Sequence, residues 1–159
     1  MIEELLRLLS CDEMNAEELA AAVEFVRNAP DDPELAWTGG PKQATTFAIY
    51  DALSEFVADS DKIDELHEQL EGMFEPPFPP FPHDDPSIQQ SSFAYFRWLD
   101  DVLSKWAVAK GGYALVGIDP GFDDHLRVVV VYRKDTRRIL ELADALSVGL
   151  GLEDGSQAA

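Results

Sequence analysis

At 159 residues, 46% of them hydrophobic and with nine Phe, four Tyr and three Trp, the chain has material for one domain with a substantial core. At that length folding buries roughly 70% of the unfolded surface, which sets global disorder aside. The 31 acidic residues against 12 basic ones, a net of −19, argue against nucleic acid, whose phosphates are bound by Lys and Arg that displace counterions, and against docking on anionic lipid.

Ile2, Leu5, Leu6 and Leu9 fall at helical spacing. Asn15 stands three residues before Glu18, the pattern of a capping box, and opens a helix with Leu19, Ala22, Val23 and Val26 on one face. Turn chemistry from Asn28 to Pro33 ends it. Gly39-Gly40-Pro41 punctuates again, and Pro41 suits a first helical turn. Ile49, Leu53, Phe56 and Val57 form the next amphipathic face, and a fourth helix after Ser60 carries Ile63, Leu66 and Leu70. Six of the ten prolines then lie between Pro76 and Pro86, a density that admits neither helix nor central strand and predicts an extended strap.

After Ser91 a helix resumes with Phe93, Phe96, Leu99, Val102, Leu103 and Trp106 facing inward, and Gly111-Gly112 stops it. Tyr113 to Asp119 and Leu126 to Arg133 read as strands joined through Pro120-Gly121 as a hairpin. A last helix from about Thr136 to Leu146 carries Ile139, Leu142, Ala143 and Leu146, and the Gly-rich tail 149–159 is expected to be loose. Val128 to Val131 is an unbroken apolar run, so both of its faces should be covered. Two strands alone make a poor sheet. A cryptic strand around Leu35-Ala36-Trp37, or a second chain pairing with the hairpin edge in a homodimer, would complete it. The expected class is therefore α+β: mostly helical, with about six helices and a C-terminal hairpin packed between them. Residues 1–148 form one domain, with a Pro/Phe strap at 74–86.

Charge is unevenly placed. Residues 51–86 carry eleven carboxylates, among them Asp61, Asp64, Glu65, Glu68 and Glu71, against Lys62 alone. Residues 126–138 carry Arg127, Arg133, Lys134, Arg137 and Arg138 against Asp135. Such faces are either solvated, neutralised within the fold, or a docking surface whose encounter with a basic protein would be steered and salt-sensitive. Overall acidity also fits a solubility device or a salt-adapted surface, since only five charged residues are Lys. Phe78 and Phe81, three apart, share a face of a polyproline helix. They read as anchors to the chain's own core, and the PxxP spacing there also fits a ligand of aromatic grooves. Phe122, at the hairpin tip, is a candidate recognition knob.

His83-Asp84-Asp85 and Asp123-Asp124-His125 are two loop clusters of similar content, and Asp64, His67 and Glu71 share a helix. Carboxylates with imidazole suit Zn²⁺, Mn²⁺ or Fe²⁺, so His83, Asp84, Asp123, Asp124 and His125 are the metal candidates. No HExxH, calcium-loop order, P-loop, GxSxG or GxGxxG occurs. Cys11 is the only cysteine, beside Asp12 and Glu13, and reads as structural. The acidic start Met1-Ile2-Glu3-Glu4 is unlike a secretory signal, and the longest apolar run falls far short of the roughly 20 residues of a spanning helix. A cytoplasmic location is expected.

In the last third, Gly112-Tyr113-Ala114-Leu115, Ile118-Asp119, Asp123-Asp124, the Val128 to Val131 strand and Ile139-Leu140-Glu141-Leu142-Ala143 resemble an uncharacterised bacterial family. The resemblance covers about 35 residues and implies a bacterial cytoplasmic setting, with no functional residues to carry over. The leading functional expectation is a non-enzymatic acidic binding protein, of accessory or immunity type, that recognises a basic protein partner without a cofactor. The alternatives are a metal-binding protein or metal-dependent hydrolase built on the His/Asp loops, and a structural homo-oligomeric subunit.

Overall fold

The computed structural model describes residues 1–74, 78–106, 111–121 and 123–156. Helix α1 (Ile2–Leu9) buries Leu5, Leu6 and Leu9. Helix α2 (Ala16–Asn28) starts where the sequence marks it: the Asn15 side chain accepts from the Glu18 backbone N–H at 2.8 Å, satisfying one of the four orphan donors of a helix start. Pro41 is the first residue of α3 (Pro41–Ala52), where its missing N–H costs nothing. Then come strand β1 (Val57–Ser60), α4 (Ile63–Met73), the short α5 (Pro86–Gln89) and α6 (Ser92–Ser104). Strands β2 (Tyr113–Ile118) and β3 (Leu126–Tyr132), helix α7 (Thr136–Leu146) and strand β4 (Leu150–Leu152) finish the chain. The fold is α+β and mostly helical, as expected, with a few more helices than the sequence suggested.

The sheet has four antiparallel strands in the order β1-β3-β2-β4. Its central hairpin lies where predicted, in register Tyr113↔Tyr132 through Gly117↔Val128. Alternation along β3 sends Val129 and Val131 into one core and Val128 and Val130 into another, so the uninterrupted valine run is covered on both faces. One face packs against α1, α2, α3 and α7 through Leu6, Leu19, Ile49 and Ile139. The other packs against α4 and α6 through Leu66, Leu70, Phe96 and Leu99, with Phe78 and Phe81 of the strap closing it.

Three expectations are corrected. Leu35-Ala36-Trp37 is not a strand but part of a 3₁₀ turn, Pro33–Thr38, opened by the Asp32 side chain, which accepts from the Glu34 N–H. The strands that complete the sheet lie elsewhere. Val57, which the sequence placed on the helical face of α3, begins β1, and Leu150–Leu152, assigned to the loose tail, forms β4 on β2. β1 covers β3 from Leu126 to Val129, and β4 covers β2 from Val116 to Ile118. Among the described residues no helix is long and apolar enough to cross a membrane.

The turn into β2 requires glycine. Gly112 has φ +87°, and a Cβ there would collide with the Ser104 carbonyl at the end of α6, so the backbone passes where no side chain fits.

Candidate functional site

Helix α4 divides the acidic segment by face. Leu66, His67 and Leu70 turn inward. Asp64, Glu65, Glu68 and Glu71 turn outward and are exposed, with Asp61 just ahead of them. At the helix start Asp61 and Asp64 meet His83, Gln90, Ser91 and Asp124 around a cleft of about 570 Å³. The two loops that carry the His/Asp clusters therefore do reach one place, and it lies beside the acidic helix.

They do not assemble a metal centre. Among the described residues no group of three or more His, Cys, Asp or Glu side chains is placed to hold an ion. Asp123 is held by Arg127, whose two terminal nitrogens donate to its two oxygens at 2.7 Å each. That fork holds the Asp123 carboxyl down at about 2. His125 Nδ1 lies 2.8 Å from Asp59 Oδ1, and this carboxylate holds the imidazole's pKa above its ordinary value. His83 packs its ring against Phe81 at 5.0 Å, and Asp84 is exposed in the next turn. Of the metal candidates, Asp123 and His125 thus serve a structural ion cluster.

The centre of that cluster is Arg127, which sequence reasoning counted only as part of a basic stretch. It is 6% exposed, sits opposite Asp59 in the β1–β3 register, approaches that carboxylate at 3.4 Å and lies over the Tyr50 ring at 5.0 Å. Tyr50 in turn donates its hydroxyl to Asp59 at 2.6 Å. A buried cation is tolerated only when paired. An arginine inside an apolar strand is the signal that would have pointed to Asp59 and Asp123.

The proline strap is self-packed. Phe78 and Phe81 are each 8% exposed, so they are not available as partner-binding residues. Their shared face is real: both rings contact His67, at 5.4 and 5.6 Å. His67 is fully buried and bridges the strap to α6. Its Nε2–H donates to the Pro79 carbonyl at 2.6 Å, so Nδ1 accepts from the Tyr95 hydroxyl at 2.8 Å. Burial pushes its pKa down, which favours the neutral ring. Phe122 lies outside the described residues.

The basic residues of 126–138 are engaged away from α4. Arg133 donates to Asp100 at 2.7 Å, and Arg138 grips Glu4 with two hydrogen bonds of 2.8 Å. Arg137 reaches Glu141 at 3.4 Å. Among the described residues of the acidic segment, only Asp59 meets a cation from this stretch. Within α4, Glu65 has Lys62 at 3.9 Å. Among the described residues, Asp61, Asp64, Glu68, Asp84 and Asp124 take part in none of the ion pairs.

Cys11 lies at the opposite end of α4. Its thiol donates to the Val130 carbonyl at 3.6 Å, and burial pushes its pKa up to about 11, so it is a poor nucleophile at neutral pH. Compared with family models, curated proteins and solved structures, the chain matches none of them, and nothing in those comparisons bears on the resemblance of the last third.

Proposed function

We propose that this chain is a non-enzymatic binding protein that captures a basic segment of a protein partner on the outward face of α4 and in the cleft at its start. The observation that carries this reading is the separation of charge. The arginines of 126–138 pair with Asp100, Glu4, Glu141, Asp123 and Asp59, while Asp61, Asp64 and Glu68 stand exposed and, among the described residues, take part in no ion pair. An uncompensated acidic strip beside a polar cleft attracts a complementary chain and speeds its encounter. The inert thiol and the neutral, buried His67 support a binding role over a catalytic one.

The test compares two variants with equal charge change. Asp61→Lys/Asp64→Lys alters the cleft, and Glu17→Lys/Asp144→Lys alters exposed positions on the helices of the other sheet face. A partner captured from source lysate and eluted by salt should bind the first variant at least about tenfold more weakly and the second like the parent. Equal losses in both would reduce the acidity to a bulk property and sink the proposal.

A further inference from the structure

A second concave site lies at the far end of α4, and its walls are of a different kind. Strand β1 begins at Val57 opposite Val129, so Val130–Tyr132 of β3 run past it. The chain does not fill the gap with another strand. It leaves a cup of about 700 Å³ between the end of α1, the turn before β1 and the end of α4. Phe56, Phe74, Tyr113 and Tyr132 line it, with Glu13 and Glu55 at its wall. The rings form a continuous surface: Tyr113 stacks on Tyr132 with centroids 5.5 Å apart, and Phe74 meets Tyr113 at 6.1 Å.

We infer that this cup is a binding site for an organic cation, an ammonium or guanidinium carried on an apolar stem. Ring faces attract cations through their quadrupole, most strongly where water is excluded, and a nearby carboxylate adds direct charge. Both kinds of side chain line the same cup here. Neither Glu13 nor Glu55 takes part in an ion pair among the described residues. Among the described residues no Lys or Arg lines the cup. The aromatic pair already attracts a cation at its border, where Lys134 Nζ lies 5.7 Å from the Tyr132 ring centroid. A metal ion is a poor fit, because two carboxylates among rings offer too few hard ligands and no three-ligand group is present among the described residues. An anion is excluded by the glutamates. A neutral apolar ligand would engage the rings alone, whereas a cation on a stem engages the rings and the acids together.

This inference is independent of the proposed docking face, and the two fail separately. The probes are N-acetyl-lysine methylamide and its neutral isostere N-acetyl-norleucine methylamide, titrated by calorimetry and by the tyrosine ring signals in NMR. The cationic probe should bind about tenfold more tightly than the isostere, as a desolvated cation–π contact supplies, with shifts at Tyr113 and Tyr132. Glu13→Gln/Glu55→Gln, both at exposed positions, should reduce that preference while leaving circular dichroism unchanged. Asp61→Lys/Asp64→Lys should leave it intact. Equal affinity for the two probes, or a preference undiminished in the double glutamine variant, would overturn the assignment.

Discussion

The Nε2–H of His67 donates to the carbonyl of Pro79 at 2.6 Å, joining α4 to a strap whose prolines have no N–H groups of their own to contribute. The Tyr95 hydroxyl reaches the other ring nitrogen at 2.8 Å, so one fully buried imidazole ties three segments together. Substituting His67→Ala should cost about 3 kcal/mol, from the cavity and from two polar groups left unsatisfied in the core. Tyr95→Phe should cost about 1–2 kcal/mol, because only the His67 Nδ1 acceptor loses its donor. Urea denaturation of both single variants and the double variant measures the coupling. A double variant whose loss equals the sum of the singles would mean that the bridge is not a unit.

The two structured histidines give opposite pH dependences. Burial lowers the folded pKa of His67, so below about pH 6.5 the unfolded chain binds a proton that the folded chain resists, and stability falls as pH drops through that window. Glu71 at 3.4 Å opposes this shift and the neighbouring His83 reinforces it. Asp59 raises the folded pKa of His125, so its contribution is present below about pH 6.5 and is lost as pH rises through the folded value. Urea midpoints at about pH 7.5 and about pH 5.5 separate the two. His67→Gln should flatten the loss of stability on acidification, whereas His125→Gln should steepen it. A His67→Gln variant with the parent's pH slope would remove His67 as the cause.

Arg127 is the structural centre of the β1–β3 edge. Its side chain is 5% exposed between Asp59 and Asp123, and removing the cation strips Asp123 of its fork and leaves Asp59 with His125 and Tyr50 alone. Arg127→Met should destabilise by about 3–5 kcal/mol, the range for breaking a buried pair. Asp123→Asn should cost about 1–2 kcal/mol, since one charge-assisted fork is lost while Asp59 remains. Thermal melts read both. An Arg127→Met variant as stable as the parent would show that packing outweighs the ion cluster.

Cys11 should resist alkylation. Burial raises its pKa to about 11, and only the thiolate reacts. At about pH 8 the thiolate fraction falls roughly a hundredfold below that of a free cysteine. Iodoacetamide labelling followed by mass spectrometry should be slow in the native protein and fast in urea. Rapid native labelling would place the thiol in water instead.

The sequence was most legible where a local rule decides the structure. The Asn15 cap, the start of α3 at Pro41 and the β2–β3 hairpin each follow from residues within a few positions of one another. The strap's phenylalanines were legible for the same reason, because polyproline spacing puts Phe78 and Phe81 on one face. What escaped depends on distant pairing. Val57–Ser60 is four residues long and becomes a strand because β3 offers it a ladder and Arg127 offers Asp59 a partner. The same pairing engages the loop candidates: His125 meets Asp59 from 66 positions away, while Asp123 is held by Arg127 only four positions on. The period of α4 also placed Leu66 and Leu70 inward, which leaves Asp64, Glu68 and Glu71 on its exposed side.

The most direct check on that contrast is the C-terminal segment. Leu150–Leu152 pairs with β2 from Val116 to Ile118, and beyond it the Glu153 N–H donates to the Leu115 carbonyl at 3.0 Å. Gly155, at φ +77°, lies against the Phe93 carbonyl, where a Cβ would collide, and its own carbonyl accepts from Arg97 at 3.4 Å. A chain ending at Val148 loses this ladder, uncovers the edge of β2 and re-exposes two half-buried leucines, for about 2–3 kcal/mol. An exposed edge is also a template for pairing with another chain. The truncated protein should therefore melt lower and self-associate more than the full chain by light scattering. Gly155→Ala should reproduce part of the destabilisation without the association, since β4 stays in place. If truncation changes neither the melt nor the scattering, β4 contributes nothing to the fold and the segment behaves as the loose tail its composition suggests.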